Sequence, residues 1–192
     1  RLQDWHEVRL QDVPASPWKN GGGTTQALVC WPNSSEWVFR MSVARIDSDG
    51  PFSEFKGVDR WFAVLNGAGV TLAFPNHKID LGPLDPVIQF SGDTPCDCSL
   101  TAGPTLDFNL MVQGATANMA RINRLTFAQK FKAKTTLAVF VVEEGGHFVL
   151  NQQRQELNKM SLYWVTLEQD VQFEFHDMHV LLIQMELLKQ LK

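Results

Sequence analysis

The sequence predicts an all-β protein, and three observations support this class. Turn-forming pairs such as Asn66–Gly67, Pro75–Asn76 and Gly145–Gly146 interrupt the chain at short intervals. Short runs rich in Val, Phe, Leu, Ile and Trp lie between them, a pattern typical of an antiparallel sandwich or barrel. Helical periodicity is nearly absent, since the best helical candidate is the tail Leu187–Lys192, which is too short to be stable alone. We therefore expect little helix.

Composition narrows the class of partner. The chain has 192 residues, of which 44% are hydrophobic and 20% charged, which are ordinary values for a globular protein. The formal net charge is −4, and this argues against nucleic acid as a partner because phosphate contacts need a basic face. No apolar stretch reaches the length of a membrane span, so we expect no membrane association.

The three cysteines, Cys30, Cys96 and Cys98, predict neither a disulfide framework nor a metal site. Cys96 and Cys98 are one residue apart, too close to bridge comfortably. A zinc site needs further ligands, and no second Cys/His pair lies at a matching spacing. We expect small buried or semi-buried thiols, no metal, no cofactor and a reducing, cytoplasmic location.

The chain divides into two similar β units. Residues 1–116 form the expected first barrel, and residues 117–192 form a second, degenerate barrel that shares a compact unit with the first. The stretches Trp61–Phe74 and Leu137–Leu150 are alike: each is an apolar run, then glycines, then another apolar run. Both are typical of β-hairpins.

One strand, Trp37–Ile46, has two different faces because side chains alternate along a strand. The first face is apolar apart from its last residue, and the second is small and polar at its centre. A strand between a dry core and a lined cavity has this pattern; the alternative is one solvent-exposed face. The first face carries Trp37, Phe39, Met41, Val43 and Arg45, and the second carries Val38, Arg40, Ser42, Ala44 and Ile46.

The stretch 50–69 resembles the first motif of the cupin superfamily, His-x-His-x(4)-Glu-x(6)-Gly. The same spacing falls on Ser53, Phe55, Arg60 and Gly67. The turn glycine is kept, but the three metal ligands of the motif are replaced by residues that cannot take their place. The resemblance therefore implies a cupin-like barrel that binds no metal.

Arg60 reverses the charge expected at that motif. A buried arginine without a partner is costly, so an inward-pointing Arg60 needs either an acid of the protein or an anionic ligand. The planar guanidinium suits a carboxylate ligand through two parallel hydrogen bonds. An internal ion pair with Asp107 and an outward-facing side chain remain alternatives.

The segment 17–25, Pro-Trp-Lys-Asn-Gly-Gly-Gly-Thr-Thr, is not a phosphate-binding loop, since the GxxxxGK[ST] pattern is absent. An apolar run follows it and predicts a strand. The glycines would allow backbone N–H groups to approach a ligand, or form a bulge at a pocket mouth. A flexible surface loop is the alternative, although a flexible tip seldom carries a residue like Trp18.

Four sequence blocks together resemble the HutD/Ves family. They are the segment 17–26, the strand segment 39–46, the segment 50–60 and the segment 105–111. The resemblance implies a bicupin fold with two jelly-roll barrels in one chain. It also implies a role in bacterial histidine utilisation by binding a pathway metabolite, with N-formyl-glutamate favoured and urocanate as a second candidate, and a regulatory consequence.

The candidate ligand-binding residues combine both lines of reasoning. Arginine and lysine would supply charge, amides and hydroxyls would supply hydrogen bonds, aromatic rings would form apolar walls, and an aspartate would orient an arginine. The candidates are Trp18, Lys19, Asn20, Gly21, Gly22, Thr25, Arg40, Ser42, Ser53, Phe55, Arg60, Asp107 and Asn109.

Two other functions remain open. A metal-independent enzyme, an isomerase or a hydrolase of a small carboxylate, would use Lys19 or Asp107 in proton transfer. A scaffold protein would use its barrels for oligomer contacts, and exposed sheet edges would permit a homodimer. The sequence contains no acid–base pair with a defined spacing, so we name no catalytic residue and expect binding rather than turnover.

Overall fold

The computed structural model describes residues 2 and 4–188. Within them the chain forms strands and one short 3-10 turn, Leu10–Asp12, so the predicted all-β class is confirmed for this part of the chain. Leu187 belongs to the last strand, and residues 189–192 of the predicted tail helix lie outside the described residues. No helix in the described part is long and apolar enough to cross a bilayer.

The chain folds as two compact units, one formed by Val13–Gln113 and the other by the residues up to Asp12 together with those from Gly114 onward. From sequence alone, the first twelve residues are predicted to belong to the first barrel. The structure instead pairs β1 (His6–Arg9) with β16 (Ser161–Thr166), so this strand belongs with the second half. The local sequence pattern of β1 could not predict this pairing, because its partner strand lies about 150 residues away.

The unit Val13–Gln113 is built on a six-stranded antiparallel sheet. The polar-centred strand β4 (Trp37–Ile46) lies inside this sheet. β11 (Thr105–Val112) pairs with β4 on one side and with β6 (Asp59–Asn66) on the other. In spatial order, the strands are β2 (Ser16–Pro17), β3 (Gly23–Pro32), β4 (Trp37–Ile46), β11 (Thr105–Val112), β6 (Asp59–Asn66) and β9 (Ile88–Ser91).

A four-stranded sheet completes this unit. Its spatial order is β5 (Gly50–Pro51), β10 (Asp97–Leu100), β7 (Val70–Ala73) and β8 (Lys78–Leu81). Both sheets contribute to one apolar cluster, which is how an antiparallel sandwich hides the inner faces of its strands. The buried members are Ile46, Phe62, Val64, Val70, Leu72, Leu81, Cys96 and Cys98.

The other unit is one curled sheet of seven strands around its own apolar core. β17 (Val171–Leu187) is the central strand and pairs with three neighbours. They are β12 (Ala115–Phe131), β13 (Thr136–Glu143) and β14 (His147–Leu150). Phenylalanines dominate the core, and Phe148, Phe173 and Phe175 are essentially inaccessible to solvent. The seventh strand of this sheet is β15 (Gln153–Gln155), which pairs with β14.

The two predicted hairpins are wrong. β6 and β7 follow each other in sequence but lie in different sheets, and β13 and β14 both pair with β17 rather than with each other. The glycines serve another purpose: a Cβ on Gly146 would lie 1.7 Å from the carbonyl oxygen of His176. They therefore allow a close approach of two backbones rather than closing a two-residue turn.

The cysteines are buried or partly buried, as the sequence predicts. All three are free thiols. Cys96 and Cys98 are buried in the cluster between the two sheets, and burial raises their pKa values to about 11 and about 12, respectively. They are unreactive packing groups at neutral pH.

Candidate functional site

A cavity of about 570 Å³ opens in the unit Val13–Gln113. Its wall combines the loop between β2 and β3, the inward faces of β4, β6 and β11, and the loop between β5 and β6. The lining residues are Pro17, Trp18, Lys19, Asn20, Thr25, Arg40, Ser42, Ala44, Ile46, Pro51, Phe52, Ser53, Glu54, Phe55, Arg60, Phe62, Asn109 and Met111.

Strand pairing arranges the polar wall in rows across β4, β11 and β6. In the outer row Met111 lies between Arg40 and Arg60, because it pairs with both. Neighbouring strands are separated by about 4.8 Å, so the two arginine Cα atoms are roughly 10 Å apart. Two guanidinium groups therefore face the same cavity from two strands that do not touch.

The next row inward is neutral. Asn109 lies between Ser42 and Phe62, one alternation further along the same strand faces. Ser42 and Asn109 are largely buried from solvent and line the cavity. A hydroxyl and an amide thus lie beneath the two arginines, next to an aromatic wall.

Arg60 is a buried cation, with only 5% of its surface exposed. Its Nη1 donates a hydrogen bond of 3.1 Å to the carbonyl oxygen of Ser53, while its Nε has no partner. The guanidinium also packs against three phenylalanine rings, whose centroids lie 4.9–5.4 Å from Cζ. Those rings belong to Phe52, Phe55 and Phe90.

Burial lowers the pKa of Arg60 to about 10, and the nearby positive charge of Arg40 acts in the same direction. The side chain still carries its proton at neutral pH. Neither arginine forms an ion pair with a carboxylate of the described residues. The alternative of an internal ion pair with Asp107 is wrong, because Asp107 lies two rows away, across from Val64, and bonds to Thr105.

Backbone hydrogen bonds hold the loop between β5 and β6 on both sides. Phe52 N donates to Cys96 O at 2.8 Å, and Phe55 N donates to Gly92 O at 2.8 Å. Gly92 N in turn donates to Val58 O at 2.7 Å. The loop therefore holds its cavity-lining residues, 52–55, at a fixed position.

The glycine triplet is a structural turn rather than a ligand cradle. Gly21 adopts a φ of +74°, and a Cβ on Gly23 would lie 2.2 Å from the carbonyl oxygen of Arg45 and 3.1 Å from the Trp18 ring. Gly22 accepts a hydrogen bond from Asp47 N. Gly21 and Gly22 do not line the cavity, so their predicted contact with a ligand has no support in the wall that the structure describes.

The residues around the triplet do line the cavity. Trp18 Nε1 donates to Thr25 Oγ1 at 2.7 Å, which fixes the indole above the closely packed Gly23. Asn20 Oδ1 accepts a hydrogen bond from Gly22 N at 2.9 Å. Lys19 lies between them in sequence and adds a cation to the wall.

Asp107 does not line the cavity, although its cross-strand partner Ala44 does. The Asp107 side chain is fully buried, one row inward from Asn109 and across from Ala44. One carboxyl oxygen accepts a hydrogen bond of 2.7 Å from Thr105 Oγ1, and the other has no partner. Burial raises the pKa of Asp107 to about 7, although the bond from Thr105 acts in the opposite direction.

The structure brings ten of the thirteen predicted residues together around one cavity, and leaves Gly21, Gly22 and Asp107 outside its wall. It also adds residues that the sequence analysis did not select. Met111 and Phe62 follow Asn109 and Arg60 at a spacing of two, so the alternation of the strand could have identified both. Glu54 lies between two selected residues and carried no signal of its own.

The cavity lies where the cupin motif is found in sequence. Ser53, Phe55 and Arg60 occupy the positions of the metal ligands in that motif, and all three line the wall. In the described part of the chain, no group of three or more His, Cys, Asp or Glu side chains is arranged to hold a metal ion. The wall offers three cationic side chains, neutral hydrogen-bonding groups and a single carboxylate, Glu54, instead.

Comparison with known proteins gives the family. The HutD family model matches residues 10–183. An uncharacterised 21.2 kDa protein from the hutC 3′ region of Pseudomonas putida is 31% identical over 162 residues, which is 81% of this chain and 82% of that protein. Protein Ves of Cronobacter sakazakii is 35% identical over 109 residues, 54% of this chain and 58% of Ves.

Solved structures agree with this. HutD from Pseudomonas fluorescens SBW25 superimposes with a TM-score of 0.80 at 27% identity, covering 95% of this chain and 98% of that one. Salicylate 1,2-dioxygenase from Pseudoaminobacter salicylatoxidans superimposes with a TM-score of 0.63 at 9% identity, covering 95% and 82% of the two chains, a likeness of fold alone. The architecture is all-β and cupin-like, and the chain belongs to the HutD family, which is linked to histidine utilisation.

Proposed function

We propose that this protein binds a small carboxylate metabolite of bacterial histidine utilisation in the cavity of the unit Val13–Gln113, without a metal, and that binding has a regulatory role. N-formyl-glutamate is the favoured ligand and urocanate the second candidate. The ligand approaches as an anion and is held by side chains of the cavity wall. No turnover is required for this role.

One observation carries the proposal: Arg40 and Arg60 face the same cavity without a carboxylate partner among the described residues. Burying an uncompensated cation is unfavourable, and the protein tolerates it here beside a cavity open to a ligand. A carboxylate would pair with the unsatisfied Nε side of Arg60. Ser42 and Asn109, one row inward, would supply neutral hydrogen bonds.

The size of the cavity supports a small metabolite. A volume of about 570 Å³ falls within the usual range for small-molecule pockets, about 300–1,000 Å³. A ligand of about a dozen non-hydrogen atoms at roughly 0.5 kcal/mol each would bind with about −6 kcal/mol, or tens of micromolar. That affinity suits a sensor of an abundant metabolite.

Thermal melts with N-formyl-glutamate, glutamate, urocanate and histidine test the proposal. A ligand that binds only the folded state stabilises it by about 2.7 kcal/mol at a hundredfold excess over Kd. The melting temperature rises as a result. We expect a shift with N-formyl-glutamate that is lost in Arg60→Ala. Arg45→Ala is the matched control, because Arg45 is an arginine of β4 that lies outside the cavity wall and pairs with Asp47 in solvent.

The outcomes separate the candidate functions. No shift with any of the four compounds would overturn the proposal, as would an equal shift in Arg60→Ala. A ligand consumed over hours, followed by NMR, would favour the metal-independent isomerase or hydrolase instead. Asp107, a candidate for proton transfer in such an enzyme, is separated from the cavity wall, and this is why binding is preferred.

The remaining features of the proposal concern architecture and partners. Each unit is a cupin-like barrel, so the chain is a bicupin, and its partner is a small anionic metabolite in the cytoplasm rather than nucleic acid or a membrane. Exposed edge strands allow a homodimer. Sedimentation with and without N-formyl-glutamate checks the oligomeric state and its dependence on ligand.

A further inference from the structure

The cavity wall contains one acid among three cations. Its charged members are Lys19, Arg40, Arg60 and Glu54. Glu54 is exposed and forms no ion pair or side-chain hydrogen bond with the described residues. An acid that merely balanced the nearby positive charge would be expected to pair with one of the cations, and Glu54 does not.

The position of Glu54 is set by its neighbours. Ser53 precedes it and accepts the hydrogen bond from Arg60, and Phe55 follows it and packs against the same guanidinium. Backbone hydrogen bonds hold this loop at Phe52 and Phe55. The loop backbone therefore keeps Glu54 in the wall of the cavity that the cationic groups also line.

We propose that Glu54 selects the ligand: it accepts a hydrogen bond from an N–H or ammonium group of a molecule whose carboxylate is held by Arg60. This rests on the proposed function and deepens it. The ligand class is then a carboxylate that also carries a nitrogen donor, such as an amino acid or an N-acyl amino acid. A dicarboxylate without nitrogen meets repulsion from Glu54 and gains nothing in return.

Three probes with the same five-carbon diacid skeleton test this. Glutarate has no nitrogen, N-formyl-glutamate has a neutral amide N–H, and glutamate has an ammonium group. Affinities are measured by calorimetry for the unaltered chain, for Glu54→Gln and for Glu36→Gln. Glu36 is an exposed glutamate outside the cavity wall, so it controls for the loss of one surface charge.

The expected effect of Glu54→Gln changes sign with the probe. Glutamate should bind about fivefold more weakly, because a charge-assisted hydrogen bond is lost. N-formyl-glutamate should lose about twofold, and glutarate should gain about twofold as repulsion is removed. Glu36→Gln should shift all three alike and only slightly.

Two results overturn the inference in distinguishable ways. If the probes bind and depend on Arg60, but Glu54→Gln changes all three in the same direction or none, this inference fails and the proposed function stands. If none of the probes binds the unaltered chain while its melting curve shows a folded protein, the proposed function fails and this inference fails with it.

Discussion

Arg40 and Arg60 flank Met111 in one row of the sheet, and their guanidinium groups face one cavity with no acid between them. Burial lowers the pKa of Arg60 and the charge of Arg40 lowers it further, so the two cations affect each other. Like charges that share a cavity favour an anion, because one carboxylate relieves both the repulsion and the cost of burial. This pair is the basis of the proposed function.

The first prediction is that Arg60→Met separates stability from binding. Methionine removes a buried charge without an acidic partner but keeps much of the apolar packing against the phenylalanine rings. We expect the free energy of unfolding without ligand to rise by about 1 kcal/mol, while the stabilisation by N-formyl-glutamate disappears. Urea unfolding with and without ligand measures both. Unchanged stabilisation by ligand in this variant would contradict the prediction.

The second prediction concerns the aromatic ring nearest to Arg60. Phe90 pairs with Arg60 across β6 and β9, and its centroid lies 4.9 Å from Cζ. Phe90→Leu keeps an apolar side chain but removes the ring face, so Arg60 loses a contact that orients it. We expect ligand affinity to fall about threefold, which corresponds to less than 1 kcal/mol.

Phe74→Leu is the matched control for that variant. Phe74 packs edge-on against Phe90, with ring centroids 5.2 Å apart. It is not one of the three phenylalanines that pack against Arg60. Calorimetric titration measures the ligand affinity of both variants. Equal losses of affinity in the two would mean that general packing, rather than the contact with Arg60, sets the effect.

The inward face of β4 could be predicted from sequence because a strand alternates with a period of two. Arg40, Ser42 and Ala44 were assigned to one face of Trp37–Ile46, and all three line the cavity. The same rule extends to Met111 and Phe62. Local alternation therefore accounts for the part of the wall that β4, β6 and β11 supply.

What the sequence did not reveal depends on pairing between distant segments. Phe90 contacts Arg60 only because β9 lies next to β6, and β1 joins the second half only because β16 is its partner. The hairpin predictions failed for the same reason: a glycine between two apolar runs fixes a close backbone contact but does not identify the strand that makes it. Gly146, packed against the backbone of His176, is the clearest case.

The third prediction separates the roles of two glycines. A Cβ at Gly23 would lie 2.2 Å from Arg45 O and against the Trp18 ring. A Cβ at Gly21 would meet open space, but the Gly21 backbone has a φ of +74°, which strains any other residue. We expect Gly23→Ala to cost about 3 kcal/mol and Gly21→Ala about 1 kcal/mol. Chemical denaturation compares them. Similar costs for both would contradict the close packing of Trp18 on Gly23.

The last prediction is a pH dependence of stability caused by Asp107. Burial raises the pKa of this carboxyl to about 7, above its ordinary value of 3.8. Between these two values the folded protein holds a proton that the unfolded chain has released, so the free energy of unfolding falls as pH rises through this window. The protonated Asp107 contributes at most about 4 kcal/mol to the free energy of unfolding. This contribution is fully present below about pH 4 and is lost above about pH 7.

Asp107→Asn removes this titration, so its stability should vary less than that of the unaltered chain between pH 4.5 and pH 8, with the largest gain at high pH. The hydroxyl of Thr105 can still donate to the amide oxygen that replaces the carboxylate. Asp97→Asn, at an exposed position of β10, is the matched control, because a solvated carboxyl pays no such cost of burial. Urea unfolding at several pH values measures all three proteins. Parallel curves for Asp107→Asn and the unaltered chain would show that Asp107 is charged in the folded protein at neutral pH and is compensated there.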